Sequence, residues 1–166
     1  DIGDGAQLAL RSAAAVLAQP GPNGGLSRQR TRVRLGPHAT FVLRPEPLVS
    51  VVRSEHHVDT EVTLHGSSTV VLLEELVLGR HAEPPGRVRS RIRVVRDGDA
   101  VLTHELDVGG DAPGWSSSAV LGAARAVPCG AVLTAAGLSS VEVAGPGGVA
   151  VIPAGDRVQV VGQVAA

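Results

Sequence analysis

The chain of 166 residues contains no lysine, no methionine and no tyrosine, and only one residue each of cysteine, phenylalanine and tryptophan. Without lysine there is no phosphate-binding Gly-x-x-x-x-Gly-Lys loop, and neither a Gly-x-Ser-x-Gly elbow nor a His-Glu-x-x-His zinc pattern occurs. The lone Cys129 supplies neither an internal disulfide nor a zinc site, which fits a reducing compartment. Between Pro128 and Gly130, with no base beside it, this residue reads as an inert thiol. No run of about eighteen or more apolar residues is present to span a bilayer, and residues 1–20 lack the basic start and apolar stretch of a signal peptide. The chain begins at Asp1 without Met and is expected to be a fragment. No membrane segment is expected, and the net charge of −1 leaves no bulk footprint for nucleic acid.

What is present is aliphatic. Hydrophobic residues make up 43% of the chain with aromatics at 1%, so a core has to be assembled from Val, Leu, Ile and Ala. A single domain of this length hides roughly two-thirds of its unfolded surface, which suffices for such a core. Twenty-one Gly and eleven Pro punctuate short β-branched runs, and that pattern predicts many strands joined by tight turns. The expected fold is therefore all-β, one domain over 1–166, sandwich-like or an irregular solenoid, with at most one or two short helices.

Local patterns refine this. Ala6–Arg11 reads as a strand, and Ala13, Ala14 and Ala15 as either a tightly packed strand or a short helix. Arg28, Arg30, Arg32 and Arg34 alternate with Gln29, Thr31, Val33 and Leu35, the period of a strand with one wet face. Ala39–Arg44 resumes as a strand and ends at Pro45-Glu46-Pro47, and Val58, Thr60, Val62 and Leu64 alternate with His57, Asp59, Glu61 and Thr63. Thr69–Leu78 is almost continuously apolar around Glu74 and Glu75, as in a strand covered on both faces. Arg87–Val95 and Ala100–Val108 form a hairpin. A three-residue turn at Asp97-Gly98-Asp99 pairs Arg91 with Glu105 and Arg89 with Asp107 on one face, leaving Ile92, Val94, Leu102, Leu106 and His104 on the other. Farther on, Ala131–Thr134, Val141–Ala144 and Gly148–Ile152 are short strand candidates, Ser118–Arg125 is a helical turn or two, and Asp156–Ala166 starts like a helix behind an N-cap. No repeat of fixed length is evident.

Several polar residues carry chemical interest. Glu55, His56, His57, Asp59 and Glu61 form a cluster with the donors divalent nickel accepts, but adjacent strand residues point to opposite faces, so His56 and His57 cannot share one ion without a bulge. A solvated polar face is the plainer alternative. His104 on an apolar face is either a satisfied core histidine or a polar station on an internal passage. Of Glu74 and Glu75 one must face inward, where a carboxylate has to be paired, solvated or protonated, an arginine ion pair being the ordinary solution. The two arginine ladders, 28–34 and 87–93, suit either a solvated face or an acidic partner.

The run Leu73-Glu74-Glu75-Leu76-Val77-Leu78-Gly79-Arg80, followed by Glu83 and the arginine-rich hairpin, resembles the signature segment of the urease accessory protein UreD family, also called UreH. The corner Leu43-Arg44-Pro45-Glu46-Pro47 is similar to that family's Leu-Pro-Glu corner. Arg11-Ser12-Ala13-Ala14-Ala15 with Pro20-Gly21 is similar to its short actinobacterial-like form. The resemblance is strong over 5–108 and weaker over 109–166. It implies a fragment lacking the family's N-terminal part, with a shortened C-terminal tail.

What the resemblance implies about function is a non-enzymatic cytoplasmic scaffold required for nickel insertion into urease. That scaffold bridges the urease apoprotein and the accessory proteins UreF and UreG, the last reached through UreF. No tightly bound cofactor is implied; nickel is cargo in transit, with Glu74 and His104 as candidate stations and Arg80, Glu83 and Glu46 as partner-binding or structural residues. Arg80 is expected to fix the loop after it or to bind a partner acid. The competing readings from other classes are a metal-dependent hydrolase using His56, His57 and Glu61, and a passive β-rich binding module.

Overall fold

Short β-branched segments between Gly and Pro turns produce strands throughout the computed structural model, which describes residues 1–80, 83–113, 130–134 and 157–164. In chain order these are β1 (Gln7–Arg11), β2 (Val16–Ala18), β3 (Ser27–Leu35), β4 (Thr40–Arg44), β5 (Leu48–Ser50), β6 (Glu55–Leu64), β7 (Thr69–Leu78), β8 (Arg87–Arg96), β9 (Asp99–Val108), β10 (Gly130–Thr134) and β11 (Arg157–Val164). No helix occurs among the described residues, so the fold is all-β, as the composition predicts. Within the same residues no helix is long and apolar enough to cross a membrane.

The strands divide between a four-stranded sheet, β3-β6-β8-β9, and a seven-stranded sheet in which β1, β4, β7, β11 and β10 are neighbours and β2 and β5 continue beside β7. From β1 to β8 the chain passes back and forth between the two sheets, and each return lays a new strand parallel to the previous one. Gln7 pairs with Thr40 and Thr40 with Thr69 in one sheet, while Ser27 pairs with His56 and His56 with Val88 in the other. The steps between partners are unequal, which is why no fixed repeat shows in the sequence. Antiparallel pairing enters only with β9, β10 and β11 among the described residues.

The core lies between the sheets. Phe41, Val62, Leu64, Val70, Leu76, Val88, Val94 and Val108 are almost wholly enclosed. On β6, and on β8 as far as Val94, burial alternates strictly, with every second side chain turned inward. β7 has neighbours on both edges and buries Val70, Leu72 and Leu76, while Val71, Leu73 and Val77 on its other face stay partly covered.

The structure departs from expectation at three places. Ala13, Ala14 and Ala15 form neither strand nor helix; they are exposed, and β2 starts after them at Val16. Arg157–Val164 is a strand paired with β7 rather than the start of a helix, because the free edge of β7 offers a backbone ladder that a helix would leave unsatisfied. The hairpin turn has two residues, Asp97 and Gly98, both with positive φ (50° and 97°), followed by a register shift between Val94 and Val95 that leaves Val101 as an extra residue. Together these restore the register a three-residue turn would give. The expectations for Ser118–Arg125, Cys129, Val141–Ala144 and Gly148–Ile152 lie outside the described residues.

Phe41 is the one aromatic side chain of the described core and is 1% exposed. Phe41→Ala is expected to lower unfolding free energy by about 3–5 kcal/mol, read as a drop in denaturant midpoint with an unchanged slope.

Candidate functional site

Inward-facing residues of the four-stranded sheet fall into rows set by the strand register. Val33, Val62, Val94 and Leu102 make an entirely aliphatic row. The three rows toward the other end carry polar groups: Thr31-Thr60-Ile92-His104, then Gln29-Val58-Ser90-Leu106, then Ser27-His56-Val88-Val108. The interior thus has an aliphatic row with a polar band to one side of it.

Glu74 reaches into this band from the seven-stranded sheet. Its position on β7 places it on the same face as Val70, Leu72 and Leu76. The Ser90 hydroxyl lies 2.8 Å from one carboxylate oxygen and 2.6 Å from the other, linking the sheets through their side chains. Ser90 itself is fully enclosed. Burial pushes the Glu74 carboxyl above the ordinary glutamate range, and the Ser90 hydrogen bond pulls it part of the way back. The ordinary solution, an arginine partner, is not the one used. Glu74 also borders a cleft of about 70 Å³ with Gln29, Thr31, Thr60 and Leu72, room for several waters.

Two imidazoles flank this contact. Nδ1 of His56 lies 2.7 Å from the Ser27 hydroxyl, which also donates to the Glu55 carbonyl at 3.2 Å. Among the described residues Nε2 of His56 is buried without a hydrogen-bond partner, as is Nε2 of His104. His104 stands opposite Ile92, one step from the Ser90 row, and is partly buried. Burial holds both rings below the ordinary imidazole range; the charge of His57 adds to this for His56, and that of Glu105 partly offsets it for His104.

The remaining candidates lie elsewhere. His57 and Glu61 are on the outer face of β6, where His57 lies 3.7 Å from Glu55 and Glu61 accepts from Arg32 at 2.9 Å. His56, His57 and Glu61 therefore do not converge, and the described residues contain no group of three or more His, Cys, Asp or Glu able to hold one metal ion. Arg80 donates to Glu83 at 2.6 Å, and the other Glu83 oxygen accepts from the Val52 N–H at 2.7 Å, so the pair pins the loop after β5. Arg80 and the Val52 N–H hold the Glu83 carboxyl below its ordinary range. Glu46 is exposed, and its N–H donates to the Ser12 hydroxyl at 2.7 Å, tying the proline corner to the preceding rung. Ser90 and Ser27 carry no motif; the available signal is a small hydroxyl inside the aliphatic alternation Val88, Ile92, Val94.

A model of the family described as UreD urease accessory protein matches residues 1–161. The chain is 36% identical over 155 residues to a urease accessory protein UreD of Frankia casuarinae, covering 87% of this chain and 45% of that protein. It is 42% identical over 125 residues to a UreD of Streptomyces coelicolor (75% and 49%), and 39% identical over 122 residues to UreD 2 of Saccharopolyspora erythraea (74% and 43%). The chain spans about half the length of these relatives.

The buried ionisable groups give stability a pH dependence of known sign. Glu74 holds its proton more tightly folded than unfolded, so its contribution is complete below the ordinary value of 4.5 and is lost as pH rises through the raised folded value. His56 and His104 act oppositely, their contribution being present above 6.5 and lost as pH falls. Glu74→Gln removes the first effect and leaves the second. Between about pH 5 and pH 8 the unfolding midpoint of the variant should rise with pH relative to that of the parent chain. Superimposable profiles would show that the carboxylate titrates normally.

Proposed function

The chain belongs to the UreD urease accessory protein family, and from that premise we propose that it is a cytoplasmic scaffold required for nickel insertion into urease. In this reading it bridges the urease apoprotein and the accessory proteins UreF and UreG. Nickel is its cargo. The observation that carries the reading is Glu74, a buried carboxylate whose partner is the hydroxyl of Ser90 rather than a cation.

A carboxylate held by an arginine is neutralised and has nothing left for a passing ion. Glu74 stands in the opposite condition, and a divalent ion could take the place of its proton. Nickel accepts carboxylate and imidazole donors, and Glu74, His104 and His56 occupy neighbouring rows of one polar band. An ion in transit needs donors that bind well enough to admit it and weakly enough to release it. Separated single donors fit that requirement better than a closed cage. Arg80 and Glu83 play a structural part in this reading, holding the loop beside β5 in place.

Co-expression of urease with its accessory proteins tests the role. Omitting the full-length form of this chain should leave urease with background nickel content and activity, measured by metal analysis and urea hydrolysis; unchanged values would overturn the proposal. Glu74→Ala should lower nickel content several-fold while the complex with apo-urease still forms on size-exclusion chromatography.

A further inference from the structure

The two arginine ladders lie on either side of β6, on a single face. β3 pairs with β6 and β6 with β8, in parallel and without a shift. The four arginines of β3 (28–34) and the four of β8 (87–93) therefore share the outer face of the four-stranded sheet with Glu55, Asp59 and Glu61 of β6 and with Glu105 and Asp107 of β9. Eight guanidinium groups share the sheet face with five carboxylates, a surplus of three positive charges on one face of a chain whose formal net charge is −1, and Asp1 and Asp111 meet Arg34 and Arg87 at its margins at 3.6 and 3.5 Å.

Each of these carboxylates already has a neighbour, Glu55 through His57 at 3.7 Å. Arg32 meets Glu61 at 2.9 Å, Arg30 meets Asp59 at 3.9 Å, Arg87 holds Asp107 in a fork at 2.9 and 2.8 Å, and Arg89 binds Glu105. The contacts to β6 run straight across and those to β9 diagonally, so Arg91 is left without an ion pair although its backbone partner is Glu105. Arg28, Arg91 and Arg93 make no ion pair among the described residues and are exposed. Exposed pairs of this kind add little to stability, so folding does not account for so many arginines on one face.

We propose that this outer face is a docking surface for an acidic protein surface. Guanidinium groups are weakly hydrated, planar and matched to carboxylates in bidentate geometry, which suits them to an interface. Charge complementarity selects the occupant. A nucleic acid offers phosphates to the unpaired arginines but brings charge of the same sign against the interleaved carboxylates. An acidic protein surface can set separate Asp and Glu side chains opposite Arg28, Arg91 and Arg93 and uncharged ones opposite those carboxylates. Where the bridging reading holds, the partner is one of the bridged proteins; the preference for acidic surfaces stands without it.

The test uses the full-length chain and its Arg91→Glu/Arg93→Glu variant, with circular dichroism to establish that both fold. Immobilised polyglutamate and duplex DNA serve as probes at low and raised salt. The parent chain should be held on polyglutamate more tightly than on DNA and released by salt. The variant should lose at least about tenfold in affinity, since it sets like charges opposite the acidic probe. Equal retention of parent and variant, no retention of the parent at low salt, or tighter retention on DNA would each overturn the proposal. In the urease co-expression system the variant should fail to join the complex. Normal assembly of the variant there would sink docking at this face while leaving the accessory role intact, and failure of the parent chain to support urease would sink the accessory role while the polyglutamate result still decides the face.

Discussion

The register that locks β3, β6 and β8 side by side is the constraint on which the rest of the molecule depends. Three parallel strands stacked without a shift turn every second side chain the same way, so one face accumulates Val, Leu and Ile and the other Arg, Asp and Glu. A slip of one residue on any of them would drive arginines between the sheets and valines into water. The interior with its polar band and the charged exterior are thus two consequences of one alignment.

Within the interior, the energetic tasks are divided by position. The Val33-Val62-Val94-Leu102 row and the enclosed Phe41, Leu64 and Val70 supply apolar burial, worth roughly 25 cal/mol for each square ångström removed from water. The polar band lies outside that row, where Glu74 borders the cleft. A carboxylate there weakens the fold at neutral pH, because burial favours its protonated form and ionisation has to be forced. Ser90 eases this cost without cancelling it. An arginine would have cancelled it, and would also have closed the carboxylate to any other cation.

How much of this the sequence showed depends on whether a feature is written locally. The hairpin register was legible because charge and apolarity both alternate through Arg87–Arg96 and Asp99–Val108, and each alternation gives the same pairing. Glu74 was legible as a carboxylate inside an aliphatic run, but its partner was not, since Ser90 lies on another strand of the other sheet. β2 and β5, of three residues each, are too short to show a period. That Arg28–Arg34 and Arg87–Arg93 share one face rests on β6 lying between them in parallel, a long-range fact with no local signature. The strand Arg157–Val164 carried its own signal in Val158, Val160 and Val164, which the capping character of Asp156 outweighed in the reading.

The hairpin shows how a single residue joins the two faces. A two-residue turn at Asp97-Gly98 makes Arg96 oppose Asp99 and Val95 oppose Ala100. Continued unchanged, that pairing would set Arg93 against Leu102, Arg91 against His104 and Arg89 against Leu106. The leucines of β9 would then lie on the arginine face, and Glu105 and Asp107 would be carried between the sheets. The extra residue Val101 moves β9 by one place, after which Val94 opposes Leu102, Ile92 opposes His104 and Arg91 opposes Glu105. The same step that seats His104 beside the polar band puts carboxylates within reach of Arg87 and Arg89. One bulge therefore decides both which imidazole faces inward and which arginines on the outside remain free.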